Sequence, residues 1–271
     1  MITVNEINVK SMLTKTRLPA ADYVINPYTG CPHKCLYCYA NYMRRFTGHS
    51  ENWGDFIDIK RCDNKIDLQN TAGKKIIFCS VTDAYNPYER KYEITRNILK
   101  QFVDTEQQIE VLTKSALITR DIEIFRRIPN FRAGISLSTL DDTLRKKLEP
   151  RASPINERIN AIKILRDAGI ETYVFLSPIL PGITDFREIL SECKNSASMF
   201  YFENLNLRGE YRATMLNFIK EYYPELARLY RAVYTNNNME YWKLVEADIE
   251  DFCKKEKIKW GSYFYHEKIR K

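Results

Sequence analysis

The sequence predicts an α/β fold, a partial (β/α)6 TIM-type barrel followed by C-terminal helices, and three observations predict it. Short apolar runs alternate with amphipathic helical stretches along the chain. Polar residues recur at the C-terminal end of run after run. A length of 271 residues suits one large α/β unit, since closed barrels of this class reach about 250 residues.

The first strand is read in "ADYVINPYTGC". "KKIIFCS", "QIEVLTK", "RAGISLS", "ETYVFLS" and "MFYFENLNL" follow, ending near residues 80, 114, 138, 177 and 206. Between them, "ALITRDIEIFRRI" and "INERINAIKILRDAGI" carry the i, i+3, i+4 apolar recurrence of helices, with Gly169 placed to stop the second. Six such units imply a parallel sheet with right-handed crossovers. The stretch from Arg44 to Lys74 is polar and irregular and reads as an insertion or loop. "EYRATMLNFIKEYYPELARLYRAVY" and "EYWKLVEADIEDFCKKEKI" predict long helices positioned to close the open side of the barrel. No glycine- or serine-rich linker divides the chain, so residues 1–271 read as a single domain. Within it, 1–21 is an N-terminal lead, 22–207 the barrel core, and 208–271 the C-terminal helices and basic tail.

Composition narrows the function class. With 44% hydrophobic and 28% charged residues the chain can bury a sizeable core, and it is large enough to fold as a monomer. No run approaches the roughly 20 apolar residues of a membrane span, and the first residues lack a signal peptide's apolar centre, which predicts a cytoplasmic protein. Seven cysteines, an odd number and locally clustered, do not form a secreted disulfide framework. Net charge is +7, and from Lys254 to Lys271 seven Lys or Arg face two Glu. That tail interleaves aromatics with its charges, a pattern suited to phosphate contact and base stacking, and equally to a solvated helix end followed by a terminal strand.

In folds of this kind chemistry gathers at the C-terminal ends of the strands. There the sequence places Ser80, Thr82 and Asp83; Thr113, Lys114 and Ser115; Ser136 and Ser138; Ser177; and Glu203, Asn204 and Asn206. A single hydroxyl at a strand end is ordinary turn chemistry. Five ends in series call for a ligand.

"NPYTGCPHKCLYCYANYMRRF" adds three thiols, Cys31, Cys35 and Cys38, within eight residues. A structural zinc or an electron-transfer cluster is usually closed by four protein ligands, whereas three leave a metal position open for chemistry. A zinc reading needs a fourth ligand from Cys62, His33 or His49 and leaves Lys114 unexplained.

The spacing C-x-x-x-C-x-x-C ahead of a barrel-like pattern resembles the radical S-adenosylmethionine (SAM) enzymes. That resemblance implies a 4Fe–4S cluster on Cys31, Cys35 and Cys38, whose open iron chelates SAM and whose electron cleaves it to a 5′-deoxyadenosyl radical. Within that superfamily the chain resembles the spore photoproduct lyases, whose motif C-x-x-x-C-x-Y-C-Y is matched by Cys31, Cys35, Tyr37, Cys38 and Tyr39. The likeness continues in Thr82 and Asp83 of "SVTDAYNPYE", in Lys114 of "LTKS", and in Ser136 with Ser138 as its same-face alternative. It implies that Tyr37 shields the cluster and adenine, that Ser80, Thr82 and Asp83 meet the cofactor's methionine end or ribose, and that Lys114 pairs with its carboxylate. It further implies an electron donor of flavodoxin or ferredoxin type. Ser177 is placed to reach adenine, and Tyr39 is a candidate relay for returning hydrogen.

Two departures separate the chain from the lyases. Where they carry a hydrogen-donating cysteine two residues before the strand-end hydroxyl, this sequence has Ser80, with Cys79 one residue earlier. Strand alternation predicts that Cys79 points away from the face bearing Ser80 and Thr82. Thirty residues precede the first cluster cysteine, too few for the lyases' leading segment, which points away from repair of spore DNA. The resemblance, the basic tail, and Arg44, Arg45 and Arg208 near the mouth favour a DNA, RNA or nucleotide substrate. A radical enzyme on a small metabolite or peptide is the rival, and a zinc-stabilised binding module the alternative from another class. In "EPRASP", Glu149 and Arg151 are placed to form an ion pair fixing the loop between Pro150 and Pro154.

Overall fold

The computed structural model describes residues 1–19, 21–235 and 239–264. Eleven strands are assigned among the described residues: β1 (Thr3–Asn8), β2 (Leu13–Lys15), β3 (Tyr23–Ile25), β4 (Tyr28–Thr29), β5 (Phe56–Arg61), β6 (Lys75–Phe78), β7 (Gln108–Thr113), β8 (Asn130–Ser136), β9 (Glu171–Ile179), β10 (Met199–Asn204) and β11 (Trp260–Ser262). The helices are α1 (Glu89–Tyr92), α2 (Ile94–Leu99), α3 (Ile122–Phe125), α4 (Asp142–Leu148), α5 (Ile155–Asp167), α6 (Phe186–Cys193), α7 (Tyr211–Tyr222), α8 (Ala227–Tyr234) and α9 (Glu240–Glu256).

All six expected strands lie side by side in one sheet of order β11-β10-β9-β8-β7-β6-β3-β2, parallel from β3 to β11, with β2 antiparallel on its edge. Alternation sets the two faces. On β7, Ile109, Val111 and Thr113 are buried in the direction of the helices, while Glu110 and Leu112 lie on the concave side. On that side the barrel is tightly filled at one point: a Cβ on Gly134 would stand 2.2 Å from the Tyr173 ring.

The helices pack where their apolar stripes require. α5 buries Ile155, Ile162 and Leu165 and ends before Gly169, whose φ of +81° supplies the left-handed stop. Asp185 caps α6 by accepting from the Arg187 and Glu188 amides. "ALITRDIEIFRRI" divides into a 3-10 stretch, Ala116–Asp121, and α3. The break falls at Asp121, a fully buried carboxylate bonded by Tyr85, Arg96 and Arg120.

Three regions differ from expectation. The C-terminal helices do two jobs: α7 and α8 form a second apolar cluster with Tyr37, Leu148, Leu180 and Leu205, whereas α9 joins the main core through Trp242, Ile249 and Cys253. Its chain then adds β11 beside β10, a seventh parallel strand, so the sheet extends beyond residue 207. The stretch read as irregular contains β5, and the N-terminal lead contains β1 and β2; β1 and β5 pair in parallel, with β4 on the other edge of β5. β5 shows no alternation because Phe56, Ile57, Asp58 and Ile59 are all buried. Gly30 lies against this small sheet with φ +83°, and a Cβ there would come 2.5 Å from the Phe56 carbonyl oxygen. Of the basic tail, the described part is the end of α9 and β11, and residues 265–271 lie outside the described residues.

Candidate active site

Between β4 and a 3-10 helix, Tyr39–Phe46, the three-cysteine loop is shaped by two tight turns, Lys34 N to Cys31 O at 3.2 Å and Cys38 N to Cys35 O at 3.1 Å. Leu36 N donates to Leu148 O at 2.8 Å, tying the loop to the end of α4. All three thiols face one cavity of about 460 Å3 at the C-terminal ends of the parallel strands. Burial pushes each thiol's pKa up, and Lys114 pulls each part of the way back.

The same cavity is lined by Tyr37, Tyr39, Cys79, Ser80, Thr82, Asp83, Lys114, Ser136 and Ser177. Lys114 Nζ lies 2.9 Å from Ser136 Oγ and 5.7 Å above the Tyr37 ring, and Ser136 Oγ donates onward to Ser177 O at 3.2 Å. Ser177 Oγ donates to Glu203, and the Tyr39 hydroxyl to Ser80 O. Thr82 Oγ1 is engaged with Gly30 O at 2.6 Å, which fastens β6's continuation to the cysteine loop.

Asp83 is built in from every side. It accepts from Thr113 Oγ1 at 2.6 Å, from the Lys114 amide at 2.9 Å and from the Tyr85 amide at 2.9 Å, and faces His33 Nδ1 at 3.3 Å. Burial works to raise its carboxyl, and His33 with these donors overcomes that and holds it below the usual carboxylate range. Its geometry is that of a brace between the cysteine loop and β7.

Three sequence readings are corrected here. Cys79 lines the cavity instead of pointing away, because it follows the last residue of β6 with φ +68°, and alternation ends where the strand does. Ser138 is absent from the lining; its Oγ lies 3.4 Å from Glu149 Oε1, behind the wall. Glu149 pairs not with Arg151 but with Arg158, while Arg151 bonds Gly54 O at 2.9 Å. Glu149 (1% exposed) also accepts from the Tyr37 hydroxyl, and Arg158 (fully buried) donates to Ser136 O at 3.1 Å. Burial would raise the Glu149 carboxyl, but Arg158, Lys114 and Tyr37 hold it below its ordinary value. This support was missed in the sequence, although Arg158 stands on the apolar stripe of Ile155, Ile162 and Leu165, where a cation needs a buried partner.

A second cavity, about 730 Å3, adjoins the first and shares Tyr39, Asn206 and Tyr211 with it. Its other walls include Tyr42, Arg44, Arg45, His49 and Arg208. The Arg45 guanidinium lies 4.6 Å from the Phe46 ring centroid, and Tyr39, Tyr42 and Phe46 are exposed. His49 Nε2 is held by Asp58 at 2.8 Å, and Cys62 lies in neither cavity, so neither joins the three thiols.

Sheet and cavity together set three thiols and a row of polar groups at the strand C-termini, the end at which α/β enzymes of this architecture carry their chemistry. A model of the Radical SAM superfamily matches residues 25–193. An uncharacterized protein of Methanocaldococcus jannaschii is 38% identical over 227 residues, 83% of this chain and 85% of that one. A radical SAM Nalpha-GlyT isomerase of Pseudomonas phage M6 is 29% identical over 170 residues, 60% of this chain and 34% of that protein. Spore photoproduct lyase, complexed with dinucleoside spore photoproduct, has the same fold at 15% identity, TM-score 0.59, over 82% of this chain and 67% of that one. The chain belongs to the radical SAM superfamily. Family membership implies a 4Fe–4S cluster and SAM as cofactors, and the reading as a zinc-stabilised module gives way.

The residues present fit those groups. Among the described residues no three His, Cys, Asp or Glu gather tightly enough for a single ion, whereas a cubane takes each cysteine on a different iron. The rest of the lining offers an amine, hydroxyls and a carboxylate to a polar cofactor. No described helix is long and apolar enough to cross a membrane.

Proposed function

We propose that Cys31, Cys35 and Cys38 hold the cluster, that SAM lies across the strand ends in the same cavity, and that the substrate is a nucleic acid or nucleotide entering through the adjoining arginine-lined cavity. The convergence of three thiols and the polar strand ends on one cavity carries this reading. The bound cofactors supply a one-electron cleavage of SAM and the hydrogen-abstracting radical that results.

The chain's own residues bind, orient and seal. Lys114 offers a cation to the SAM carboxylate from its perch on Ser136. Ser177 with Glu203 presents hydrogen-bonding groups to the far side of the cofactor, beside adenine or ribose. Tyr37, locked by Glu149, excludes water from the thiols. Tyr39, 56% exposed and common to both cavities, stands between substrate and cofactor, where a hydrogen relay belongs; Cys79 and Ser80 line the wall beside it. Arg44, Arg45 and Arg208 supply positive charge for phosphates, and Tyr42 supplies a ring for stacking. The electron enters from a donor of flavodoxin or ferredoxin type.

The test is anaerobic reconstitution with iron and sulfide, reduction by dithionite, addition of SAM and assay for 5′-deoxyadenosine. Cys38→Ala is expected to lose iron and to lower product to background, and product at wild-type level from that variant would overturn the cluster assignment. Single-stranded oligonucleotides are expected to bind with a log–log salt slope of about −2, three phosphates at roughly −0.7 each. Salt-insensitive binding, or none, would move the substrate to a small metabolite or peptide.

A further inference from the structure

Trp53 is buried, and its indole Nε1–H has no acceptor of ordinary hydrogen-bond geometry. An indole nitrogen can only donate, and a buried donor without a partner is rare and costly. The ring packs with Ala40 and Phe56 against Cys31 and Cys38, edge-on to Phe56 at 5.6 Å between centroids. Of the two thiols it packs against, Cys38 is the one within reach of the indole N–H. The donor thus lies buried beside one of the three thiols with no other acceptor.

The segment carrying the ring is fastened to the cysteine loop through Lys34 and to the loop after α4 through Arg151. Lys34 Nζ contacts both Asp55 carboxylate oxygens at 2.7 Å, and Arg151 Nη1 donates to Gly54 O at 2.9 Å. Gly54, at φ +98°, lies so close that a Cβ would stand 2.7 Å from Lys34 Cγ. These contacts leave the indole little room to turn away from the sulfur.

We infer that Trp53 is a positioning residue that donates its indole N–H to the Cys38 thiolate of the cluster and raises the cluster's reduction potential. The inference rests on the assignment of Cys38 as a ligand. An electron added to the cluster increases negative charge on its sulfurs, so a donor there stabilises the reduced form more than the oxidised one. No bond is made or broken; the electron comes from the external reductant. Trp53→Phe, which keeps the aromatic body and deletes the donor, is expected to lower the reduced-to-oxidised ratio at a fixed potential about fivefold. For a one-electron couple this is roughly 40 mV, toward the negative.

Two measurements on the reconstituted full chain decide it. Redox titration followed by electron paramagnetic resonance compares the wild type with Trp53→Phe at equal iron content. Electron spin-echo modulation of wild-type enzyme grown on 15N-indole tryptophan looks for a nitrogen coupled to the reduced cluster; Trp242 and Trp260, in α9 and β11, serve as internal remote controls. A negative shift and a coupling lost in the variant are the expected results. A cluster that forms and cleaves SAM but shows no shift and no coupling overturns the role of Trp53 and leaves the ligand assignment standing. If Trp53→Phe fails to take up iron, the labelled wild type decides alone. If the wild type forms no cluster, both readings fall.

Discussion

The two ends of the parallel sheet each enclose about 460 Å3, and their polar groups are disposed in opposite ways. At the floor, Lys75 lies 2.8 Å and Arg132 3.6 Å from Glu110, Arg132 meets Glu171 at 2.9 Å, and Tyr173 Oη donates to Glu110 at 2.8 Å. Cations and carboxylates there neutralise one another. At the mouth the carboxylates Asp83 and Glu149 are likewise engaged with protein, but the thiols of Cys31, Cys35 and Cys38 and the Lys114 amine face the open volume. Volume alone therefore does not mark a site; what distinguishes the mouth is a set of strong ligands held in place by groups already satisfied behind them.

Breaking those rear supports should have the largest effect. Arg158→Met leaves Glu149 a buried carboxylate without its cation, and the expected loss is about 3–5 kcal/mol, read from the urea midpoint. A loss under about 1 kcal/mol would mean the pair does not hold the mouth together. Lys114→Ala leaves the scaffold intact and removes one charge-assisted contact. SAM affinity should fall roughly 10- to 100-fold by anaerobic calorimetry, with iron content unchanged, given about 1.5–3 kcal/mol for a hydrogen bond to a charged group. At the floor, Arg132→Gln should cost only about 1 kcal/mol and leave SAM cleavage within about twofold. Loss of cleavage from that variant would erase the contrast between the two ends.

The smallest effect concerns α4, whose Leu144 and Leu148 pack with Tyr37 beneath the mouth. The hydrogen bonds from Arg145 hold Asp142 at about 2, below the ordinary carboxylate value. Because the folded value is depressed, the stability it confers is present above the unfolded value of about 3.9 and is lost as pH falls toward 2. Asp142→Asn should therefore lower the melting temperature at pH 6 and lower it much less near pH 2; equal loss at both would assign the effect to packing.

The six parallel strands and the cysteine loop were legible because each rests on local pattern: apolar runs of strand length, strand-end hydroxyls, and a spacing of thiols. Arg158 and Glu149 were not paired in advance, since their meeting depends on how α5 docks, although an arginine on an apolar stripe announced that some partner was needed. Cys79 was misread because alternation was extended one residue past the end of β6. β5 escaped notice because a strand buried on both faces, with Asp58 and Lys60 inside it, carries no period of two. Trp53 had no sequence signal, since the segment that delivers it is shaped by contacts with Lys34 and Arg151 across the fold.

Gly30 constrains how sequences with this architecture can diverge. A side chain at position 30 would strike the Phe56 carbonyl, and the backbone there is left-handed, so the residue preceding the first cluster thiol is fixed by a strand that comes later in the chain. Drift at that position is thus blocked by geometry and not by chemistry. A lineage could abandon the glycine only after first redrawing β5, so the sequence of the motif and that of the small sheet must change together or not at all.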